Sequence, residues 1–415
     1  MQAARIRNLL ERAQQLLADG FVHPDGADNF QIPDPAIIAG AFTEFAGRAA
    51  ANPGRLAAAQ FELWRDHVAL WSAFTRKLDG ESVAPLATPA RDDRRFADAA
   101  WSEHPAFDYV KQAYLLNARW MQSAVQQVEN LDADTQRKVE FYTRQLIDAW
   151  SPSNFVTTNP KVLRETLDSG GENLVRGLEH LVADLQRGRG RLSIAMTDER
   201  AFRLGENVAA TPGKVIFQNE LMQLIQYAPA TAEVQRRPLL IIPPWINKFY
   251  ILDLKPQNSF IKWAVDQGHT LFVISWVNPD ERLARKSFDD YMLEGPLAAL
   301  DAIERATGER EVNVIGYCIG GTLLACTLAW MAKRGDRRVA SATFFTALTD
   351  FAEAGELKVF IDEDQIRLLE AHVAKKGYLE GRHMATVFNM LRANDLIWSF
   401  VVNNYLLGRE PLPFD

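Results

Sequence analysis

From about residue 196 onward, apolar residues stop recurring at every third or fourth position and gather into short continuous runs. The runs at 239–242, 271–276, 312–315 and 342–348 are rich in β-branched and aromatic residues and bounded by turn formers, which predicts buried strands. Residues 214–227 read as two short strands or a hairpin, while 257–267 and 291–307 can each hold a helix between strands. This alternation predicts a doubly wound α/β sheet with parallel crossovers. Right-handed crossovers would bring the carboxyl ends of the strands to one edge, where ligands bind. Before residue 196 the pattern is helical. Residues 109–131 and 134–149 carry apolar positions at helical spacing, broken by Ser151-Pro152-Ser153-Asn154. Residues 1–90 alternate helix-like runs with the turn clusters Pro24-Asp25-Gly26 and Pro53-Gly54, and end in a Pro/Ala/Thr-rich stretch from Pro85 to Pro89. After Asp350 the strand signal gives way to helices at 361–375 and 384–407. The expected organisation is therefore a helical extension over 1–90, a helical domain over 91–195, and an α/β core over 196–415 that includes a helical cap over 351–415.

Composition narrows the class. The 415 residues are 47% hydrophobic and 24% charged, as in an ordinary globular protein, and the formal net charge of −7 leaves no basic footprint for nucleic acid. The first ten residues are interrupted by charges, unlike a signal peptide or a membrane span. Leu9, Leu10, Leu16, Leu17 and Phe21 form an apolar stripe that reads as a packing face. Cys318 and Cys326 are the two cysteines. Their spacing fits neither a disulfide nor a metal site, and a reducing, cytoplasmic setting suits them.

The chemistry concentrates in Gly316-Tyr317-Cys318-Ile319-Gly320, which follows a β-branched run and precedes a helix-forming run. This is the nucleophile-elbow pattern G-x-S-x-G with cysteine in place of serine. Such a residue sits on a strained strand-to-helix corner. The flanking glycines remove Cβ atoms that would clash, and the helix N-terminus favours negative charge at the sulfur. A nucleophilic cysteine on an α/β-hydrolase-type scaffold implies acyl transfer through a thioester. The run from Leu239 into Pro243-Pro244-Trp245-Ile246-Asn247 occupies the place of the loop that donates one oxyanion-hole amide. The backbone amides of Ile319 and Ile246 are accordingly the candidates for that hole, ahead of Trp245.

A base is harder to find. In this architecture the acid and then the histidine follow the nucleophile. His372 and His383 lie in charge-rich helical sequence and read as surface or capping residues, and Asp350 reads as a helix N-cap. The general base and its acid partner are expected beyond residue 415, so the chain reads as C-terminally truncated. Cys326 reads as core, His269 as a turn residue, and Asp253 with Lys248 as a local salt bridge in preference to a substrate contact. Gly320-Gly321-Thr322 lacks the lysine of a phosphate loop.

Several of these segments together resemble the polyhydroxyalkanoate synthases: Pro243 to Leu254, Gly268 to Pro279, Gly316 to Gly321, Phe388 to Trp398, Asn404 to Gly408, and Trp150 to Phe155. The likeness runs from about Phe96 to Asp415, and the single long chain resembles the class I type. It implies a 3-hydroxyacyl-CoA substrate, a polyester growing as a thioester on Cys318 at a granule surface, a homodimer, and no metal or separate cofactor. The family's catalytic Asp and His have no counterpart in this sequence. Two alternatives remain at this stage: a cysteine-dependent thioesterase or acyltransferase releasing small products, and a non-catalytic granule-binding subunit.

Overall fold

The computed structural model describes residues 2–22 and 32–413. The Pro24-Asp25-Gly26 turn expected from the sequence lies outside them, as does the Phe21 side chain. The chain divides into two compact units. One comprises residues 1–198, 356–369 and 382–414; the other comprises 199–355 and 370–381.

The first unit is helical. Its principal helices are α1 (Gln2–Val22), α2 (Pro35–Ala50), α3 (Pro53–Leu78), α4 (Pro105–Gln126), α5 (Ala133–Ala149), α6 (Pro160–Asp168) and α7 (Glu172–Arg187). Proline opens α2, α3, α4 and α6, where its missing N–H costs nothing and its fixed φ suits the first turn. Asp132 caps α5 by accepting from the Asp134 and Thr135 amides at 2.9 Å. Leu9 and Leu16 of the N-terminal stripe pack with Ala13 against Val182 and Leu185 of α7, whereas Leu10 and Leu17 face solvent.

Residues after the sheet return to this unit. Sequence adjacency grouped 351–415 with the α/β core, yet 356–369 and 382–414 cluster with the N-terminal helices. Phe360 meets Phe141 edge-on at 5.4 Å, and the Arg95 guanidinium bonds both Asp148 and Asn394. The π-helical turn Val401–Leu406 lies directly on α7. Asn173 donates to the Leu406 carbonyl at 2.8 Å, and the Tyr405 hydroxyl donates to buried Asp184 at 2.6 Å. Burial, followed by the bond and charge of Asp184, pushes the Tyr405 phenol well above its ordinary range, so it stays a donor.

A Cβ at Gly177 would lie 1.8 Å from the Tyr405 carbonyl oxygen, so only glycine permits this backbone-to-backbone approach. Gly177→Ala is expected to lower stability by about 2–3 kcal/mol through overpacking. A urea titration should show a lower midpoint with an unchanged slope.

The second unit is built on a six-stranded sheet: β1 (Gly213–Gln218), β2 (Met222–Tyr227), β3 (Leu239–Ile242), β4 (Leu271–Trp276), β5 (Val312–Tyr317) and β6 (Val339–Phe345). Its order is β1-β2-β4-β3-β5-β6. The four strands β4, β3, β5 and β6 run parallel to one another; the hairpin β1–β2 joins antiparallel. The sheet is thus mixed, with its four parallel strands at the centre and one end.

Alternation along β3 and β4 sends Leu240, Ile242, Phe272 and Ile274 to one core and Leu239, Ile241, Leu271 and Val273 to the other. Both faces are therefore buried, as parallel strands require. Helices α9 (Ala298–Thr307) and α10 (Ile319–Arg334) supply residues to the first core, and α8 (Phe260–Asp266) to the second. Two further helices come later in the chain, α11 (Glu363–Lys376) and α12 (Gly381–Leu391), the second of them almost wholly in the helical unit.

Candidate active site

Only one residue separates β5 from α10: Cys318, with φ 54° and ψ −127°. A non-glycine residue in this region stores on the order of 1–3 kcal/mol of strain and persists only where its surroundings over-determine it. Here they do. The Cys318 amide donates to the Phe345 carbonyl of β6 at 2.9 Å, and the Cys318 carbonyl accepts from the Gly321 amide at 2.8 Å. One turn further on, the Thr322 hydroxyl donates to the Leu348 carbonyl at 2.7 Å.

Three glycines make the corner possible. A Cβ on Gly316 would lie 2.5 Å from the Gly321 Cα, one on Gly320 would lie 2.3 Å from the Ile242 carbonyl oxygen, and one on Gly321 would lie 2.4 Å from the Ala347 Cβ. The first two belong to the elbow pattern read from the sequence. Gly321 has the same steric duty and went unread, because its neighbour Ala347 is distant along the chain. The cysteine itself is half-buried.

The close approach of Gly320 to the Ile242 and Pro243 carbonyls sets the start of α10 against the exit of β3. The structure thereby brings together the elbow and the Pro243-Pro244-Trp245-Ile246-Asn247 loop. That loop is held from beneath: the Trp276 indole donates to the Pro243 carbonyl at 2.8 Å. Trp245 meets Trp276 edge-on at 5.9 Å and Tyr291 at 4.9 Å, forming an aromatic cluster. The Trp276 ring fills the space over Gly295, where a Cβ would come within 2.3 Å of it. Burial pushes the Tyr291 phenol up, keeping it neutral inside this cluster. Trp276 positions the loop without being signalled by any catalytic motif. Ile319 is the first residue of α10, where an amide has no acceptor within its own helix. Ile246 lies in the turn with its side chain exposed.

Other sequence expectations are corrected. Asp253 makes no salt bridge with Lys248 among the described residues. Its buried carboxylate accepts from the Thr211 hydroxyl at 2.7 Å and from the Ser259 hydroxyl at 2.5 Å, while Lys248 donates to the Asn278 side chain. Asp253 thus ties the chain entering the sheet to the start of α8, which Ser259 caps. Desolvation, then the Asp253 charge, raises the Tyr227 phenol strongly. Cys326 is exposed rather than core, because α10 turns Leu323, Leu324, Thr327 and Met331 inward and position 326 lies off that face. His372 and His383 are buried, not at the surface. In α11, position 372 falls on the inward stripe with Gln365, which the charge-rich sequence conceals.

Neither histidine sits on a loop following a sheet strand, and Asp350 accepts the Ala352 amide at 2.9 Å in a turn instead of capping an α-helix. Among the described residues no cluster of His, Cys, Asp and Glu could hold a metal ion, and no helix is long and apolar enough to cross a membrane.

This geometry can be set beside known proteins. Residues 92–264 match the family model for the N-terminus of poly-beta-hydroxybutyrate polymerase (PhaC). The chain is 55% identical over 364 residues to a poly(3-hydroxyalkanoate) polymerase of Methylorubrum extorquens, covering 88% of this chain and 60% of the relative. It is likewise 55% identical over 364 residues to a poly(3-hydroxyalkanoate) polymerase subunit of Rhizobium meliloti, with the same coverage. Against the corresponding subunit of Cupriavidus necator it is 43% identical over 368 residues, covering 88% of this chain and 61% of that one. The chain therefore spans about three-fifths of the length of the curated relatives it matches.

Proposed function

From its homology to the poly(3-hydroxyalkanoate) polymerases, we propose that this chain carries the nucleophile-bearing part of a class I polyhydroxyalkanoate synthase on an α/β-hydrolase-type sheet. The observation that carries the reading is the backbone of Cys318: a cysteine forced to positive φ between a parallel strand and a helix, with glycine on both sides. A strand order with an antiparallel β2 and a parallel remainder supports the hydrolase-type assignment.

In the proposed reaction the Cys318 sulfur attacks the thioester carbonyl of a 3-hydroxyacyl-CoA. The new S–C bond forms, the bond to the coenzyme A sulfur breaks, and the departing thiolate takes a proton. Little energy is lost, since one thioester replaces another. The hydroxyl of a second 3-hydroxyacyl-CoA, giving its proton to the base, then attacks the acyl-cysteine: an ester C–O bond forms and the C–S bond to Cys318 breaks. The freed Cys318 thiolate attacks the lengthened coenzyme A thioester, releasing coenzyme A and taking the chain back. Each tetrahedral intermediate places negative charge on one oxygen, and the backbone amides of Ile319 and Ile246 are assigned to receive it. Because those donors are main-chain, the shape of the Pro-Pro loop governs them. The side chains at 246 and 319 do not.

Both attacks need a base. We assign it, with its acid partner, to a segment that the longer relatives possess and residues 1–415 do not include. The proposed synthase is a cytoplasmic, granule-associated enzyme whose substrate is the coenzyme A thioester. Coenzyme A release from 3-hydroxybutyryl-CoA tests it. Residues 1–415 alone should release none above background. A chimera joining them to the C-terminal segment of the Methylorubrum extorquens relative should turn over and form polymer. Turnover by residues 1–415 alone would refute the missing base, and small released acids in place of polymer would favour a thioesterase.

A further inference from the structure

Cys318 has a strained neighbour. β6 ends at Phe345, and the next residue, Thr346, has φ 43°. Five non-glycine residues among those described have positive φ, and Thr346 alone of them is β-branched. For such a residue this region is a genuine outlier, because two heavy atoms on Cβ crowd the backbone, whereas glycine would enter it freely. The elbow holds the chain on both sides of it. The Phe345 carbonyl, in the peptide that leads into Thr346, accepts from the Cys318 amide at 2.9 Å. Ala347 packs so close to Gly321 that a Cβ on the glycine would lie 2.4 Å from its own, and the Leu348 carbonyl accepts from the Thr322 hydroxyl at 2.7 Å.

The side chain itself does not hold this turn. Thr346 is exposed, and its hydroxyl has no hydrogen-bond partner among the described residues. Its neighbours in the chain are apolar: Phe344 and Leu348 are exposed, and Phe345 and Ala347 are half-buried. The nucleophile's own amide is thus tied to a strand end that carries one spare hydroxyl among apolar groups. Strain of this kind persists where surroundings over-determine it, and it gathers at sites that hold a ligand.

We propose, resting on the synthase reading above, that Thr346 is a substrate-binding residue whose hydroxyl pairs with the 3-hydroxyl of the acyl group bound for Cys318. A threonine hydroxyl both donates and accepts, so it can meet another hydroxyl in either sense. The acyl group offers two polar points, its thioester oxygen and its 3-hydroxyl. The first already has assigned donors in the backbone amides of Ile319 and Ile246, which leaves the 3-hydroxyl to be recognised. A short acyl chain bearing one hydroxyl then lies against an apolar strand end bearing one hydroxyl. Such a contact selects against an acyl group that lacks the 3-hydroxyl, because binding it would desolvate Thr346 and leave it unpaired.

Acylation of Cys318 by 3-hydroxybutyryl-CoA and, separately, by butyryl-CoA tests this, followed by rapid quenching in the chimera with the C-terminal segment of the Methylorubrum extorquens relative. The unsubstituted chimera should be acylated more efficiently by the hydroxylated thioester. Thr346→Val keeps the β-branch and its strain, so the melting temperature should hold. Its acylation by 3-hydroxybutyryl-CoA should fall about 10–100-fold, and its acylation by butyryl-CoA should not fall. Thr346→Ser should restore the preference. Thr346→Gly relieves the strain, keeps the fold and should show the same selective loss as valine. Equal losses with both thioesters in Thr346→Val would make the residue structural and overturn the assignment. So would a preference that survives in Thr346→Val, or one already missing from the unsubstituted chimera. A chimera that neither thioester acylates at Cys318 would instead refute the synthase reading itself, and this assignment with it.

Discussion

Cys318→Ala in the chimera with the C-terminal segment of the Methylorubrum extorquens relative is expected to abolish polymer formation, a loss of about 10⁴-fold or more, since the proposed reaction holds the chain on Cys318 alone. The fold should not be what fails. Alanine carries a Cβ and meets the same penalty at φ 54° as cysteine does, so the melting temperature should barely move. Cys318→Gly supplies a sharper control. Glycine adopts this region freely, so it should remove activity equally yet melt above the alanine variant. Rising stability with vanishing activity is the mark of a strained nucleophile. If Cys318→Gly instead melted below Cys318→Ala, the corner would not be storing strain.

Gly320→Ala is the second large effect. The added methyl would sit 2.3 Å from the Ile242 carbonyl oxygen and 2.8 Å from the Pro243 oxygen, both backbone atoms that no rotamer change can clear. The start of α10 must therefore retreat from the β3 exit, which separates the amides of Ile319 and Ile246. A displacement near 1 Å in such a site costs around 10²-fold in turnover, and overpacking adds about 1–3 kcal/mol of destabilisation. Steady-state coenzyme A release by the chimera, alongside its urea midpoint, separates the two effects. Ile246→Ala should by contrast leave turnover within a few-fold, because the proposed donor is the backbone amide and the side chain is exposed.

The parts of this site fixed by local sequence could be read from it. The β-branched run into Gly-Tyr-Cys-Ile-Gly predicts strand, corner and helix, and all three are present at 312–334. The buried strands at 239–242 and 271–276 also lie where their apolar runs put them. β6 begins at Val339, three residues before the expected 342, because exposed Ala340 and Ser341 give its first residues no apolar run to read, and it alternates between half-buried and exposed positions where a buried strand was expected. The helix expected over 384–407 is instead α12 followed by two π-helical turns, a ladder change that periodicity does not register.

What escaped altogether was long-range. Gly177 against Tyr405, Gly321 against Ala347 and Trp276 against Pro243 each join residues whose sequence neighbourhoods carry no mark of the other. The same limit explains why 382–414 seemed to extend the α/β core. Linear adjacency argued for the sheet, while hydrogen bonds donated by Asn173 and Arg95, and one that Asp184 accepts from Tyr405, hold this segment to the helical unit. Cys326 shows the converse error, an apolar residue type assigned to a core that its helix turns away from.

The central claim is that Cys318 is the residue acylated by the coenzyme A thioester. Rapid quenching of the chimera with 3-hydroxybutyryl-CoA, followed by peptide mapping by mass spectrometry, reads this directly. The account predicts a hydroxybutyryl or oligomeric hydroxybutyryl adduct on the peptide containing Cys318, released by hydroxylamine and absent from Cys318→Ala. An adduct confined to Cys326, the more exposed thiol, or polymer growth with Cys318 unmodified, would contradict it.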